Sequence, residues 1–165
     1  MASNPPPQPA KGTRRLQATM GGAGVAAMLI AAVAAFEGKR NDPYADMIGK
    51  MTVCYGETRV EMRRYSDAEC KDMLADGLAD FAGPVLQRNP ELKGHDPQLA
   101  AAVSLSYNIG IANYRKSTVA KRFSAGQWRQ ACDAFLSWRF AGGREVQGLL
   151  NRRRAERDLC LRGVK

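Results

Sequence analysis

Two carboxylic acids and a hydroxyl in the segment from Glu37 to Gly56 are the residue types that acid–base hydrolysis of a sugar polymer requires. Glu37 follows an apolar run, and apolar neighbours favour the protonated form that can donate a proton to a leaving oxygen. Asp46 and Thr52 lie among turn and polar residues, where a carboxylate stays ionised and can orient a water. Asn41, Asp42 and Pro43 break any helix that carries Glu37. We therefore expect an acid at a helix end to face a carboxylate and a hydroxyl on a hairpin. Spacing alone does not distinguish this pair from two solvated surface acids.

The same segment carries a motif, which reads Glu-Gly, then Pro-Tyr-x-Asp, then Gly-x-x-Thr-x-x-x-Gly. It resembles the active-site segment of the phage-type lysozymes, glycoside hydrolase family 24. Further matches follow in the family's order, and together they cover nearly all of residues 37–160: Tyr107–Gly110, Asn113–Arg115, Trp138 with Ala141–Gly143, Gly148–Leu149 and Arg152–Arg153. One departure is that Cys54 and Tyr55 follow Thr52, where many members carry small or aliphatic residues.

The resemblance implies an α+β fold, in which a small antiparallel sheet lobe and a larger helical lobe are joined by a long helix, with a cleft between them. It implies hydrolysis of the β-1,4 bond between N-acetylmuramic acid and N-acetylglucosamine in peptidoglycan. By resemblance Glu37 is the general acid, Asp46 positions or activates the water, and Thr52 holds that water from the other side. No cofactor or metal is implied.

Five further residues are candidates for substrate binding on the cleft wall: Tyr44, Tyr107, Asn108, Trp138 and Arg144. Of these, Trp138 could stack on a sugar ring, although we favour packing in the core as its role. Two other functions stay open for the same fold. One is a lytic transglycosylase, which needs the acid but no attacking water. The other is an inactive wall-binding protein.

The formal net charge of +9 indicates an anionic partner, which could be nucleic acid, a membrane surface or an acidic polymer. No nucleic-acid-binding motif accompanies the charge, so we expect no nucleic acid partner. A basic surface suits the anionic bacterial wall, and we expect a monomer.

Four cysteines make an even set without any C-x-x-C pair, and the chain has one histidine, so we expect no zinc site. Disulfides are expected if the catalytic part is exported. Four cysteines allow three connectivities. Proximity in sequence favours Cys54 with Cys70 and Cys132 with Cys160.

The first 36 residues differ in composition from the rest. Residues 1–15 are rich in proline and cations, and we expect a disordered cytoplasmic tail. Residues 16–36 carry no charge and are long enough to cross a bilayer of about 30 Å as a helix. Cations before this run predict that its N-terminal end lies in the cytoplasm and that the catalytic domain, residues 37–165, lies in the periplasm.

Residues 16–36 admit three interpretations. They could be a signal peptide cleaved after Ala32-Val33-Ala34, a permanent anchor, or a signal-arrest-release segment, a weakly apolar anchor that later leaves the membrane. We favour the third interpretation. Cleavage after Ala34 or Ala35 would leave Glu37 near a frayed terminus, without the helix that should position it. We therefore expect the protein first in the inner membrane and then free in the periplasm.

Local signals predict the remaining elements. Residues 42–65 are expected to form a small antiparallel sheet. Ser66 and Glu69 have the spacing of a capping box, so a helix should start at Asp67. Gly83-Pro84 should end or kink that helix. The arginines of the last helix, Arg152, Arg153, Arg154 and Arg157, are explained by the helix dipole without any ligand.

Overall fold

The structure is a computed structural model that describes residues 10–165. Within that range the chain forms helices, two short 3-10 turns and four strands, in this order: α1 (Lys11–Met20), α2 (Ala23–Ala34), β1 (Arg40–Ala45), β2 (Met51–Cys54), α3 (Asp67–Arg88), a turn at Pro90–Leu92, α4 (Asp96–Ile109), α5 (Ile111–Lys116), α6 (Thr118–Ser124), α7 (Trp128–Ala134), a turn at Phe135–Trp138, β3 (Phe140–Ala141), β4 (Arg144–Glu145) and α8 (Gln147–Cys160).

Strands β1 and β2 form an antiparallel hairpin that begins three residues after Glu37. Arg40 lies opposite Cys54 at its base, Tyr44 lies opposite Thr52, and the register shifts between the two pairs. An isolated bridge joins Val53 to Glu57. The sheet is therefore smaller than the one predicted over residues 42–65, because residues 58–65 add no strand to it.

Helix α3 connects two separate cores. Its start contributes Cys70 to a small cluster with Val53, Cys54 and Tyr65, and the turns from Leu74 onward pack into the large helical core. The capping box is present, since the Glu69 N–H donates to Ser66 Oγ and the Ser66 N–H donates to Glu69 Oε2. The α+β architecture of two lobes joined by a long helix is confirmed.

Helix α3 does not end at Pro84, which was one of the two outcomes expected there, but continues to Arg88. Ala82 and Val85 on either side of the proline are completely buried in the helical core. Tertiary packing of both turns therefore outweighs the hydrogen bond that the proline cannot donate.

The N-terminal segment is two helices, with Gly21 and Gly22 between them and an angle of 113° between their axes. Neither helix alone has the length and apolar character needed to cross a membrane, and the two qualify only when joined across the bend. In this bent form the segment packs on the domain through buried side chains of both helices: Leu16, Met20, Val25, Leu29 and Val33.

Residues 11–15, which were expected to belong to a disordered tail, are helical in this structure, because α1 begins at Lys11. Its first turn is held by a distant carboxylate: Asp72 accepts the N–H groups of Gly12 and Thr13, at 3.1 and 2.7 Å. Local composition could not show this contact. The rest of the expected tail, residues 1–9, lies outside the described residues.

Both disulfides join the cysteines paired by proximity in the sequence. Cys54 is bonded to Cys70 and Cys132 is bonded to Cys160. The first bond ties the hairpin to α3, and the second ties α7 to α8. Cys54 has a φ of 59°, a left-handed conformation that favours glycine.

Candidate active site

Glu37 is held at the end of α2 by its own backbone. Its N–H donates to the carbonyl of Val33 at 3.1 Å, and the Phe36 N–H donates to the same carbonyl at 2.9 Å. Val33 is completely buried. The position of the Glu37 carboxyl therefore depends on the packing of α2 against the domain.

The Glu37 side chain, 29% exposed, contacts a cation, where the sequence predicted an apolar neighbourhood. Arg152 Nη1 on α8 donates to Glu37 Oε1 at 2.9 Å. The Arg152 guanidinium also lies 5.2 Å from the ring centre of Phe36. No other hydrogen bond from residues 10–165 reaches Glu37, so Oε2 has no hydrogen-bond partner among them.

A buried charge network holds Arg152 in place. Arg152 Nε donates to Glu156 Oε1 at 3.1 Å, and Ser104 Oγ donates to the same oxygen at 2.6 Å. Arg153 Nη2 also donates to this oxygen, at 3.0 Å. Arg152, Arg153 and Glu156 are all at least 95% buried. Desolvation lowers the pKa of Arg153, and the Glu156 carboxylate opposes that shift.

The dipole explanation for these arginines is therefore wrong for Arg152 and Arg153, which are interior ion-pair residues. The sequence contained a signal for this, because Glu156 follows the two arginines at helical spacings of four and three. It contained no signal for the contact to Glu37, which joins residues far apart in the chain.

An open cavity lies between the loop after β2 and the helices α3 and α4. Tyr107 lines it and packs edge-on against Phe81, with the ring centres 5.3 Å apart. Burial raises the pKa of Tyr107, and the carboxylates of Glu37 and Glu57 raise it further, so both acids act on this wall. The main lining residues are Tyr55, Glu57, Thr58, Arg59, Met73, Asp80, Phe81 and Tyr107.

Asp46 lies in the turn of the β1–β2 hairpin and is fixed through one oxygen. Asp46 Oδ1 accepts the N–H groups of Ile48 and Lys50, each at 2.9 Å. Within the described chain Oδ2 accepts no hydrogen bond. Thr52 is 3% exposed on β2, and its hydroxyl donates to the Tyr44 carbonyl at 3.4 Å.

The substrate-binding candidates fall into different places. Tyr44 lies opposite Thr52, with the Arg40 guanidinium 4.6 Å from its ring centre. Asn108 is exposed in the last turn of α4, next to Tyr107, and Arg144 is exposed on β4. Trp138 is half-buried and packs against the helical core. The structure thus brings Glu37 near Tyr107 and Tyr44 near Thr52.

Glu57 and Arg59 in the cavity wall were not singled out from the sequence. Arg59 donates to both Glu57 oxygens, at 3.1 and 3.0 Å, and this pairing lowers the pKa of Glu57. The pair lies in the loop after β2, where Glu57 forms only an isolated bridge to Val53 and no periodic pattern marks either residue of the pair.

These features define a two-lobed α+β hydrolase fold with an acid at the interface of α2 and α8. The family model for phage lysozyme matches residues 34–156. The SAR-endolysins of Bacteriophage PS119 and of Enterobacteria phage P21 are each 39% identical over 132 residues. The match covers 77% of this chain in both cases, and 77% and 78% of the two relatives.

Among solved structures, the endolysin from Escherichia coli O157:H7 phage FAHEc1 superposes with a TM-score of 0.72 at 25% identity, covering 97% of each chain. The chain therefore belongs to the phage lysozyme family. It is a glycoside hydrolase that cleaves peptidoglycan and lyses the bacterial host.

Proposed function

We propose that Glu37, Asp46 and Thr52 carry out the hydrolysis of the β-1,4 bond between N-acetylmuramic acid and N-acetylglucosamine. One observation supports this assignment above others: the protein fixes one oxygen of each carboxyl and leaves the other without a partner in the described chain. Arg152 holds Glu37 Oε1, and two turn amides hold Asp46 Oδ1. A carboxyl held in this way has a defined orientation and still offers an oxygen to substrate or water.

In this mechanism Glu37 donates a proton from Oε2 to the glycosidic oxygen as the bond breaks. The carboxylate of Asp46 accepts a hydrogen bond from the attacking water through Oδ2, and the Thr52 hydroxyl holds that water from the other side. Tyr44 supports Thr52 across the hairpin. All of these groups come from one chain, so we infer that a monomer is active.

The test is loss of turbidity of bacterial cell walls. Glu37→Gln keeps the size and the Arg152 contact but cannot donate the proton, so its rate should fall about 10²–10⁴-fold. The rate of turbidity loss with Asp46→Asn should fall by a similar factor. Glu61→Gln, in the exposed loop after β2, is the matched control and should keep the wild-type rate. A wild-type rate for Glu37→Gln would rule out the proposed acid.

Analysis of the products separates this reaction from a transglycosylase. Hydrolysis adds water and leaves a reducing end, whereas a transglycosylase leaves an anhydro sugar 18 mass units lighter, about the mass of one water. Mass spectrometry of the released fragments should show reducing ends. Anhydro products would overturn the hydrolytic assignment while leaving the fold and the acid in place.

We also infer that residues 16–36 first hold the protein in the inner membrane and then leave it. Three features support this inference: the segment carries no charge, cations precede it, and the relatives are named SAR-endolysins. The segment also forms part of the folded domain, where it positions Glu37. A cleaved signal peptide would remove that support.

Fractionation of expressing cells tests this inference. Before depolarisation the chain should be in the membrane fraction, and after addition of an uncoupler the intact chain should be soluble and active. Mass spectrometry of the soluble form should give the mass of a chain that keeps residues 16–36. A soluble form that begins near Ala35 would establish the signal-peptide interpretation instead.

A further inference from the structure

The guanidinium of Arg152 is divided among three acceptors from different parts of the fold. Nη1 donates to Glu37 Oε1, just after α2, at 2.9 Å. Nε donates to Glu156 Oε1 on α8 at 3.1 Å, and Nη2 donates to the Ser104 carbonyl on α4 at 3.4 Å. An arginine beside a carboxylate frequently binds both of its oxygens through two parallel N–H groups. Among the hydrogen bonds of residues 10–165, Glu37 receives only one from this guanidinium.

This division decides what Glu37 can do as an acid. A general acid must carry its proton on an oxygen that can meet the leaving group. If two N–H groups of Arg152 bound both Glu37 oxygens, each oxygen would face a cationic donor, and the carboxylate would be favoured over the acid. Because one N–H binds Oε1, Oε2 is left to carry the proton.

Glu156 is placed to keep the guanidinium divided. Its side chain is 1% exposed, and its Oε1 accepts from Arg152 Nε, from Ser104 Oγ at 2.6 Å and from Arg153 Nη2 at 3.0 Å. Its Oε2 lies 2.7 Å from Arg153 Nε. The carboxylate is therefore held from several sides, and it cannot follow Arg152 if the guanidinium turns toward Glu37.

Ser104 and Phe36 fix the remaining sides of the guanidinium. Ser104 is completely buried and contributes twice, since its carbonyl accepts from Arg152 and its hydroxyl donates to Glu156. The ring centre of Phe36 lies 5.2 Å from the guanidinium carbon. A second hydrogen bond to Glu37 would require Arg152 to give up an acceptor inside the core, where an unmade hydrogen bond is most costly.

We propose that Glu156 is a positioning residue of the enzyme: by holding Arg152 Nε, it limits Arg152 to one hydrogen bond with Glu37 and keeps Oε2 available for the proton. The proposal rests on the assignment of Glu37 as the general acid. Glu156 is too deeply buried to meet the substrate and acts through Arg152. Its loss should therefore change the rate of the chemical step and leave substrate binding in place.

The test requires variants that fold without the Glu156 charge, and Arg153 provides a suitable background. Arg153 is completely buried, and among the described residues its Nη1 has no hydrogen-bond partner. Arg153→Met keeps a long side chain and removes the second buried cation. In that background Glu156→Gln and Glu156→Met both remove the negative charge from a side chain of similar length. Only the glutamine keeps an acceptor for Arg152 Nε.

Initial rates of wall hydrolysis over a range of wall concentrations give kcat and KM for each variant. With Glu156→Gln, kcat should stay within about threefold of Arg153→Met alone, whereas with Glu156→Met it should be about tenfold lower or more. KM should agree within about twofold, because the binding surface is unchanged. A role in stability alone would lower the urea midpoint of both variants and leave kcat of the folded enzyme equal. Equal kcat of the glutamine and methionine versions would overturn the proposal.

A shorter carboxylate keeps the test decisive if the double variants do not fold. Glu156→Asp in the otherwise wild-type chain retains the charge, but its oxygens are one methylene further from Arg152 Nε. Glu61→Asp, in the exposed loop after β2, is the matched control. We expect kcat of Glu156→Asp to be about threefold or more below that of Glu61→Asp, with KM unchanged. Equal kcat of these two variants would contradict the proposal.

The outcomes separate this proposal from the assignment of the acid. An inactive Glu37→Gln enzyme, together with equal kcat of the Glu156→Gln and Glu156→Met versions, would keep Glu37 as the acid and remove the role of Glu156. A wild-type rate for Glu37→Gln would instead remove the acid, and the positioning role would fall with it.

Discussion

Arg152 and Glu37 lie 115 residues apart in the chain and form a hydrogen bond of 2.9 Å that joins α8 to the end of α2. The same guanidinium reaches Glu156 Oε1 and the Ser104 carbonyl through its other nitrogens, at 3.1 and 3.4 Å. The three acceptors lie in different directions, and a planar fork of donors can reach all of them at once. The orientation of the proposed acid is thus fixed from the core of the helical lobe.

Replacing Arg152 by lysine tests whether the orientation of the Glu37 carboxyl depends on the shape of the guanidinium or only on its positive charge. Lysine keeps the positive charge, but its single nitrogen cannot serve three separated acceptors, and the free energy of unfolding should fall by about 2 kcal/mol. We expect kcat to fall about tenfold or more with KM nearly unchanged, because the acid is misplaced while substrate binding is retained. Initial rates over a range of wall concentrations measure both constants, and urea unfolding measures stability.

Arg154→Lys is the matched control for this change. Arg154 is on the same helix but exposed, so its replacement should leave kcat and stability close to wild type. An Arg152→Lys enzyme with the kcat of the Arg154→Lys enzyme would show that Arg152 does not orient Glu37.

Features encoded by neighbouring residues were predictable from the sequence. The capping box at Ser66 and Glu69 needs only four consecutive residues, and it starts α3 where expected. Glu37 also lies just beyond a helix end as expected, although α2 ends at Ala34, before the proline that was expected to stop it. The motif match then supplied the family and the fold, which are confirmed.

Features that depend on distant partners were not predictable in this way. Residues 11–15 were predicted to belong to a disordered tail because their composition is polar, yet contacts to Asp72 and Asp76 on α3 order them. The charged neighbours of Arg152 in the sequence predict a cation at the surface, yet Arg152 is 95% buried. In each case a contact between residues far apart in the chain decides the structure, and the sequence carries no signal that Asp72 meets Gly12 or that Arg152 meets Glu37.

The two disulfides should contribute unequally to stability. The residues they join are separated by 16 and 28 positions, and loop entropy predicts about 3 and about 3.5 kcal/mol respectively. Cys54 additionally has a left-handed backbone, which costs a residue other than glycine about 1–3 kcal/mol. Cys54→Gly with Cys70→Ala should therefore lose only about 0–2 kcal/mol, clearly less than Cys132→Ala with Cys160→Ala.

Urea unfolding of the two double variants under non-reducing conditions measures this difference. Cys54→Ala with Cys70→Ala is the control, because it removes the same bond but keeps a side chain at the left-handed position. It should be less stable than the glycine version. If the alanine version is the more stable of the two, relief of backbone strain is not the cause.

Glu69 should make the protein lose stability in acid. The Ser66 N–H, followed by Arg63, lowers the pKa of Glu69 from 4.5 to about 2 in the folded protein. Since the unfolded chain binds the proton more readily, this stabilisation is present above pH 4.5 and is lost as the pH falls through about 2. Glu69→Gln keeps the acceptor oxygen and should be less stable than wild type at pH 7, with the gap closing toward pH 2. Urea unfolding at several pH values checks this expectation, and Glu61→Gln should show no such closing gap.

Gly21 should set the balance between the membrane-held form and the released form. In the folded domain Gly21 has a φ of 89°, and both its N–H and that of Gly22 donate to the Gln17 carbonyl at 3.0 Å, which ends α1 and allows the 113° bend. Alanine at this φ costs about 1–2 kcal/mol. In a straight membrane helix, alanine is instead better than glycine by about 0.5–1 kcal/mol. Both effects favour the membrane, so Gly21→Ala should reduce the released fraction at partial depolarisation about tenfold or more. Position 24 is helical in both forms, so the Gly24→Ala variant should be released as the wild type is. Equal release of the Gly21→Ala and Gly24→Ala variants in a graded uncoupler titration would show that the bend at Gly21 does not limit release.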